Sequence, residues 1–166
     1  MVGLGPEFKN ALKMPGPWRM SLGGFGECLP NHGNYVEIEK GKVDAWGIPT
    51  LKIHCAWGEN ELTMSKDIAI QAAEILAAAG ATEISPYQKP SPPGLGIHEM
   101  GTARMGRDPK TSVLNQFQQS HDVKNLFVVD GSAFVNASCQ NPTWTIMSLC
   151  WRSCDYLADQ FGKGNL

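Results

Sequence analysis

The chain has 166 residues, 42% of them hydrophobic, and 14 Lys and Arg against 16 Asp and Glu give a formal net charge of -2. That balance excludes a basic nucleic-acid binder and a disordered tail, because the first needs a cationic surface and the second lacks the apolar residues of a core. No run approaches the roughly 18 apolar residues of a membrane helix, and the opening MVGLGPEFKNALK has no charged stretch followed by an apolar one; neither a membrane span nor a secretory signal is expected.

The sequence also holds 18 glycines and 11 prolines, above the average combined share of roughly 12%. Residues 1–34 carry many of them, including Gly3, Gly5, Pro6, Pro15, Gly16, Pro17, Gly23, Gly24, Gly26 and Pro30. No helix longer than two or three turns fits there, so the segment reads as loop with short extended pieces, its glycines shaping loops. Tyr35–Glu39 alternates with period two, as a half-buried strand does. Lys40-Gly41-Lys42 is expected to turn, and Leu51–Trp57 to form a second strand that Pro49 can only precede.

From Asn60 the apolar period lengthens: Leu62, Ile68, Ala72, Ile75, Leu76 and Ala79 predict a helix over roughly 61–79, ended by Gly80. Thr82–Ile84 is expected as a short strand, and Pro86–Gly96 as a loop. Asn125–Val129 has the profile of a buried strand stopping at Asp130-Gly131. Asn141-Pro142-Thr143 then opens a second helix, with Asn141 as N-cap and Pro142 at N1. Its inner face is predicted from Trp144, Met147, Cys150, Cys154 and Leu157, running to about Phe161. Strands and helices mix without a βαβ rhythm, so the fold class is α+β, an antiparallel sheet with flanking helices.

Five cysteines, Cys28, Cys55, Cys139, Cys150 and Cys154, are an odd number with no CxxC pair. They suit neither a closed disulfide framework nor a four-cysteine zinc site, and no metal is expected. They read as reduced, mostly buried thiols, which favours a reducing, cytoplasmic setting. A dinucleotide-binding GxGxxG between strand and helix is absent from the sequence; Gly23-Gly24-Phe25-Gly26 leads to Pro30.

Two segments carry chemistry. In Gly94–Gly106 a histidine, His98, lies in a glycine-dense loop, where side-chain bulk is withdrawn so that a ligand or another backbone can approach. In the other, Asp130-Gly131-Ser132-Ala133-Phe134 precedes the helix start at Asn141-Pro142-Thr143. Free N–H groups there suit an anion, or a ring that becomes anionic.

Taken in order, His98–Gly106 (HxxGTxRMG), Asp108-Pro109, Ser112-Val113, Asn125–Phe134 (NLxVVDxSxF) and Asn141–Leu149 (NPTxTxMSL) resemble the C-terminal signature of the glucose–methanol–choline (GMC) flavin oxidoreductases. Gly26–Pro30, Asn34–Val36 and Asp44–Pro49 look like strands of that family's substrate domain. The resemblance covers about residues 24–161. It implies the GMC substrate-binding fold, without the N-terminal Rossmann-like FAD half, and a division into a loop-rich segment 1–34, part of the substrate-binding domain at 35–90, and a segment 91–166 with the active site and flavin contacts.

The resemblance further implies roles. His98 matches the catalytic histidine that takes the proton from a substrate hydroxyl, and Asn141 the second catalytic position, occupied by His or Asn in the family. Asp130 and Gly131 match positions near the ribityl and pyrophosphate of FAD, and Asn141, Pro142 and Thr143 the stretch beside the isoalloxazine ring. Hydride passes from the substrate carbon to flavin N5. The residue types agree with these roles: imidazole titrates near neutrality, an amide can hold an alkoxide, and a helix N-terminus stabilises negative charge on a reduced ring.

The expected function is therefore the C-terminal active-site portion of an FAD-dependent oxidoreductase acting on the CH–OH group of a small-molecule alcohol or sugar. A sugar or sugar acid is preferred, with a separate FAD-binding half as partner. The chain reads as a fragment, a separately encoded half or a truncated product. The competing reading is a catalytically silent binding or scaffold domain left after loss of the FAD half. His32, His54 and His121 read as surface or packing residues, Arg104 as an ion-pair or anion partner, and Cys139 with His98 makes a poor hydrolase because no orienting acid accompanies them.

Overall fold

A computed structural model describes residues 3–88, 90–96 and 98–166. Among them lie a short helix α1 (Pro6–Ala11), an antiparallel pair β1 (Tyr35–Val43) and β2 (Pro49–His54), and two 20-residue helices, α2 (Glu59–Ala78) and α3 (Thr143–Gly162). A single 3₁₀ turn, Gly131–Ala133, interrupts the irregular stretch between the long helices. The class is α+β, with a sheet of two strands among the described residues.

The hairpin pairs Tyr35 with His54 and Ile38 with Leu51, shifts register beyond Ile38, and closes on Val43 and Pro49. Its turn lies at 44–48 rather than at Lys40–Lys42. The Asp44 carboxylate explains the difference: Oδ1 accepts from the backbone N–H groups of Trp46 and Ile48, both at 2.9 Å. Such a side-chain-built turn outcompetes the Lys-Gly-Lys sequence, which offers no acceptor of its own. Pro49 therefore starts the strand instead of preceding it, as proline can at a first strand position.

Helix α2 ends as its glycine predicts. Gly80 has φ of 85°, its N–H donates to the Ala77 carbonyl, and the Ala81 N–H reaches back to Leu76. This double closure satisfies the last carbonyls and requires the left-handed backbone that glycine adopts without strain. At the other end Glu61 accepts from Gly58 N–H at 2.9 Å and from Leu29 N–H at 3.0 Å, tying the 24–29 loop to the helix. Gly24 and Gly26 lie against Ile68 and Met64 of α2 so closely that a Cβ on either would collide. They are approach points, and not mere loop formers.

Two predicted strands are not formed. Residues 82–84 bend at Glu83, whose φ is 53°, and 125–129 makes one isolated bridge, Gln119 to Phe127. The second segment lies in a knot of backbone hydrogen bonds over 103–133 instead. Leu114, fully buried, bridges both Met105 and Ser120. The loop expected over Pro86–Gly96 holds no helix or strand at its described residues, with Lys89 outside them.

Helix α3 corrects the largest expectation. Trp144, Met147 and Leu157, read as part of its inner face, are 80%, 58% and 40% exposed. The side that meets the rest of the chain carries Leu149, Ser153 and Tyr156, with Ser153 almost wholly buried. Tyr156 stacks on Phe117 with centroids 4.0 Å apart, and Arg152 lies over the same ring. The helix is apolar on two sides, so periodicity alone could not choose between them. The cysteines change likewise: all five are free, Cys28, Cys55, Cys139 and Cys154 are exposed and only Cys150 is half-buried.

The accessible surface is 13327 Å², against about 8,000 Å² expected for a compact monomer of this mass. Buried hydrophobic residues are few among those described: Ala69, Leu114 and Ala133. Helix α3 thus leaves one of its two apolar sides exposed, part of a surface well above that of a compact monomer.

Candidate active site

Three segments that are far apart in sequence meet beside the N-terminus of α3. The His98 loop pairs its backbone with the 3₁₀ turn: Ala103 N–H donates to Ser132 carbonyl at 3.0 Å, and Met105 N–H to Ala133 carbonyl at 2.9 Å. Gly131 sits where the loop, the turn and α3 converge. A Cβ there would lie 3.7 Å from the Glu99 carbonyl oxygen, from Met100 Cγ and from Ile146 Cδ1. Only a residue with little or no side chain permits that triple approach.

The Asp130 turn is built from its own side chain. Oδ1 accepts from Ser132 N–H at 2.8 Å and from the Ser132 hydroxyl at 2.5 Å. The hydroxyl, followed by the backbone N–H, holds the Asp130 carboxyl below its ordinary value. Ser132, which sequence reading did not single out, thereby fixes the carboxylate as an anion; its place two residues after an Asp was the available signal.

A pocket of about 80 Å³ opens at the start of α3. Asn141 and Pro142 line it, with Met100, Phe134, Asn136 and Thr145 among the other walls. His98 is half-buried and is not among the lining residues, but Met100, two positions on, carries its loop to the pocket wall. Asp130 and Gly131 back the site without lining it, and neither does Thr143 line it, one position into α3. Sequence reading missed Asn136 and Thr145, which lie between and within the two motifs it used.

Asn141 does not cap the helix. The first intrahelical bond runs from Ile146 N–H to the Pro142 carbonyl, Pro142 already has helical dihedrals, and no side chain caps the end. Proline favours this because its fixed φ suits the helix and it has no N–H to satisfy. The exposed Asn141 amide and the uncapped N–H groups of the first turn are thus all available to a ligand. Among the described residues no group of three or more His, Cys, Asp or Glu could hold a metal ion, and no helix is long and apolar enough to cross a membrane.

The model of the C-terminal domain of the GMC oxidoreductases matches residues 30–150, most of the chain. This chain belongs to the GMC oxidoreductase family. It is 38% identical over 137 residues to the 2-methyl-1,2-propanediol dehydrogenase of Mycolicibacterium austroafricanum, covering 82% of this chain and 25% of that protein. It is 28% identical over 167 residues to the gluconate 2-dehydrogenase flavoprotein of Pantoea cypripedii, covering 96% and 27%. To the fructose dehydrogenase large subunit of Gluconobacter japonicus it is 30% identical over 140 residues, covering 83% and 25%. The GMC chain described here spans about a quarter of the length of these curated relatives. The GMC match contains His98, Asp130, Gly131, Asn141, Pro142 and Thr143, and extends through the first turns of α3.

Proposed function

We propose that the chain is the C-terminal active-site portion of an FAD-dependent oxidoreductase that oxidises the CH–OH group of a small alcohol or sugar. The observation that carries this reading is the convergence at Gly131 of the His98 loop, the Asp130 turn and the first turns of α3. In this reading residues 35–90 belong to a substrate-binding unit, and 91–166 hold the active-site and flavin-facing residues.

The donor set fits a flavin. An uncapped helix start, a carboxamide and a glycine where loop, turn and helix approach closely are groups that suit an electron-rich ring edge. FAD, when bound, supplies the hydride acceptor. His98 would accept the hydroxyl proton of the substrate, Asn141 would hold the oxygen as charge develops on it, and the N–H groups of Thr143 and Trp144 in the first turn of α3 would be free for the ring. Asp130, fixed by Ser132, orients the turn toward the ribityl and pyrophosphate.

The site needs more walls than this chain gives it. A pocket of about 80 Å³ is well below the roughly 300 Å³ at which small-molecule sites begin. The exposed Trp144–Met147–Trp151–Phe161 side of α3 supplies an apolar face for the covering polypeptide. We assign that cover to an FAD-binding portion, on the same or a separate chain. The relatives' names point to a diol, a sugar acid and a sugar, which favours a polyhydroxylated substrate. The odd cysteine count favours a reducing compartment.

The test uses the protein assembled with its FAD-binding portion. Anaerobic flavin bleaching by a polyol substrate should slow by about 10²-fold or more in His98→Ala, the usual scale for a general base. Bleaching at the parent rate would remove His98 from the chemistry. No flavin uptake and no bleaching in the parent itself would leave the silent scaffold domain as the correct description.

A further inference from the structure

A second cavity, of about 610 Å³, lies along α3 well away from Asn141 and shares no lining residue with the first. Leu149 and Arg152 on its wall are eight and eleven residues beyond Asn141, about 12–17 Å along the helix at 1.5 Å per residue. The Asn115, Gln116 and Arg107 side of the wall comes from the knot that α3 packs on.

The lining is cationic without compensation. Arg107 and Arg152 both face the cavity, no carboxylate does, and among the described residues neither arginine joins an ion pair. Arg152 is also held in place: its Nη2 donates to the Gln116 carbonyl, and its guanidinium carbon lies 5.9 Å from the Phe117 ring centroid. One of its five N–H groups is committed, and the others remain for a ligand. His121 also lines the cavity, its Nε2 lying 3.2 Å from the Gly106 carbonyl oxygen and 3.1 Å from Ser112 Oγ.

We propose that this cavity binds the oxyanion group of a small phosphorylated or carboxylated molecule, between the Arg107 and Arg152 guanidiniums. Two like charges in one concavity repel, and an acceptor with two or more oxygens offsets that repulsion while taking paired N–H bonds. Exposed Gln116 supplies an uncharged hydrogen-bonding side chain beside it, Asn115 being tied to Phe117 and Gln119, and Leu149 with Met105 forms an apolar wall for the rest of the molecule. The proposal stands apart from the oxidoreductase reading, since the two cavities have no residue in common.

The full chain, labelled with ¹⁵N, is titrated with inorganic phosphate and separately with acetate, at ionic strength held constant with chloride. Saturable shifts of the Arg107 and Arg152 Nε signals are expected. Tighter phosphate binding identifies a phosphoryl ligand and tighter acetate binding a carboxylate. Arg107→Gln, at an exposed position, should weaken the better anion by about tenfold or more, and Arg152→Lys should do so with charge retained, because the fork is lost. Shifts that stay linear for both anions, or an Arg107→Gln variant that binds like the parent, would overturn the assignment. Should Arg152→Lys fail to fold, Arg107→Gln decides alone.

Discussion

Ser153 Oγ donates a 2.7 Å hydrogen bond to Gln118 Oε1, between two side chains that are almost completely buried. This bond joins the middle of α3 to the knot of backbone over 103–133. The same knot carries the 3₁₀ turn against which the His98 loop is hydrogen bonded. A polar tie in the interior thus sets where the Asn141 end of α3 lies relative to the loop that bears His98.

Ser153→Ala removes the donor and leaves the Gln118 carboxamide buried with both its polar atoms unpaired, since Nε2 already lacks a partner. A loss of about 1–3 kcal/mol is expected, the range for an orphaned buried polar group. Urea unfolding of parent and variant measures it. The double variant with Gln118→Leu should lose less than the two single changes added together, because removing both polar partners leaves nothing orphaned.

Gly131 offers a graded test of the convergence. A Cβ would meet three atoms at ordinary van der Waals distance, 3.7 Å each, so Gly131→Ala should fold and retain flavin binding in the assembled enzyme. Gly131→Leu needs room that the Glu99 carbonyl, Met100 and Ile146 occupy, and should separate the His98 loop from α3. Flavin reduction lost in both variants alike would show that bulk at this point is not the cause.

Asn141→Ala, in the FAD-loaded enzyme, should lower kcat/KM by about 10–100-fold, as expected for one hydrogen bond to a developing negative charge. The loss should appear in kcat more than in KM. Asn141→His should restore part of the rate, as either side chain can donate to the substrate oxygen. A loss confined to KM would mean that the amide holds substrate and transition state equally.

Acid stability follows from Asp130. Its carboxyl is held below the ordinary value by the Ser132 hydroxyl and N–H, so the folded state favours the ionised form. The resulting stabilisation is fully present above the unfolded-state value and is lost as pH falls below about 4 toward the folded-state value. Asp130→Asn should therefore flatten the acid limb of a stability–pH curve, its cost shrinking as pH falls toward the folded-state value. Ser132→Ala should act in the same direction through the partner.

The sequence by itself determined the elements whose signals are local. Gly80 ends α2 because a left-handed residue is needed one position past the cap, and an alanine-rich run with three- and four-residue spacing has no other stable form there. The motif order from His98 to Leu149 likewise named the family that the comparison supports. What failed depended on competition between distant groups. Asp44 moved the hairpin turn by supplying an acceptor, and 125–129 lacked a neighbouring strand, so its apolar run joined the Leu114 knot.

Only the tertiary structure decided which side of α3 faces inward. Trp144, Met147 and Leu157 promised the greater apolar burial, yet Ser153, Tyr156 and Arg152 had specific partners in Gln118, Phe117 and the Gln116 carbonyl. Hydrophobic burial has no direction and hydrogen bonds do, so within this chain the directed contacts fixed the helix and left its larger apolar face exposed.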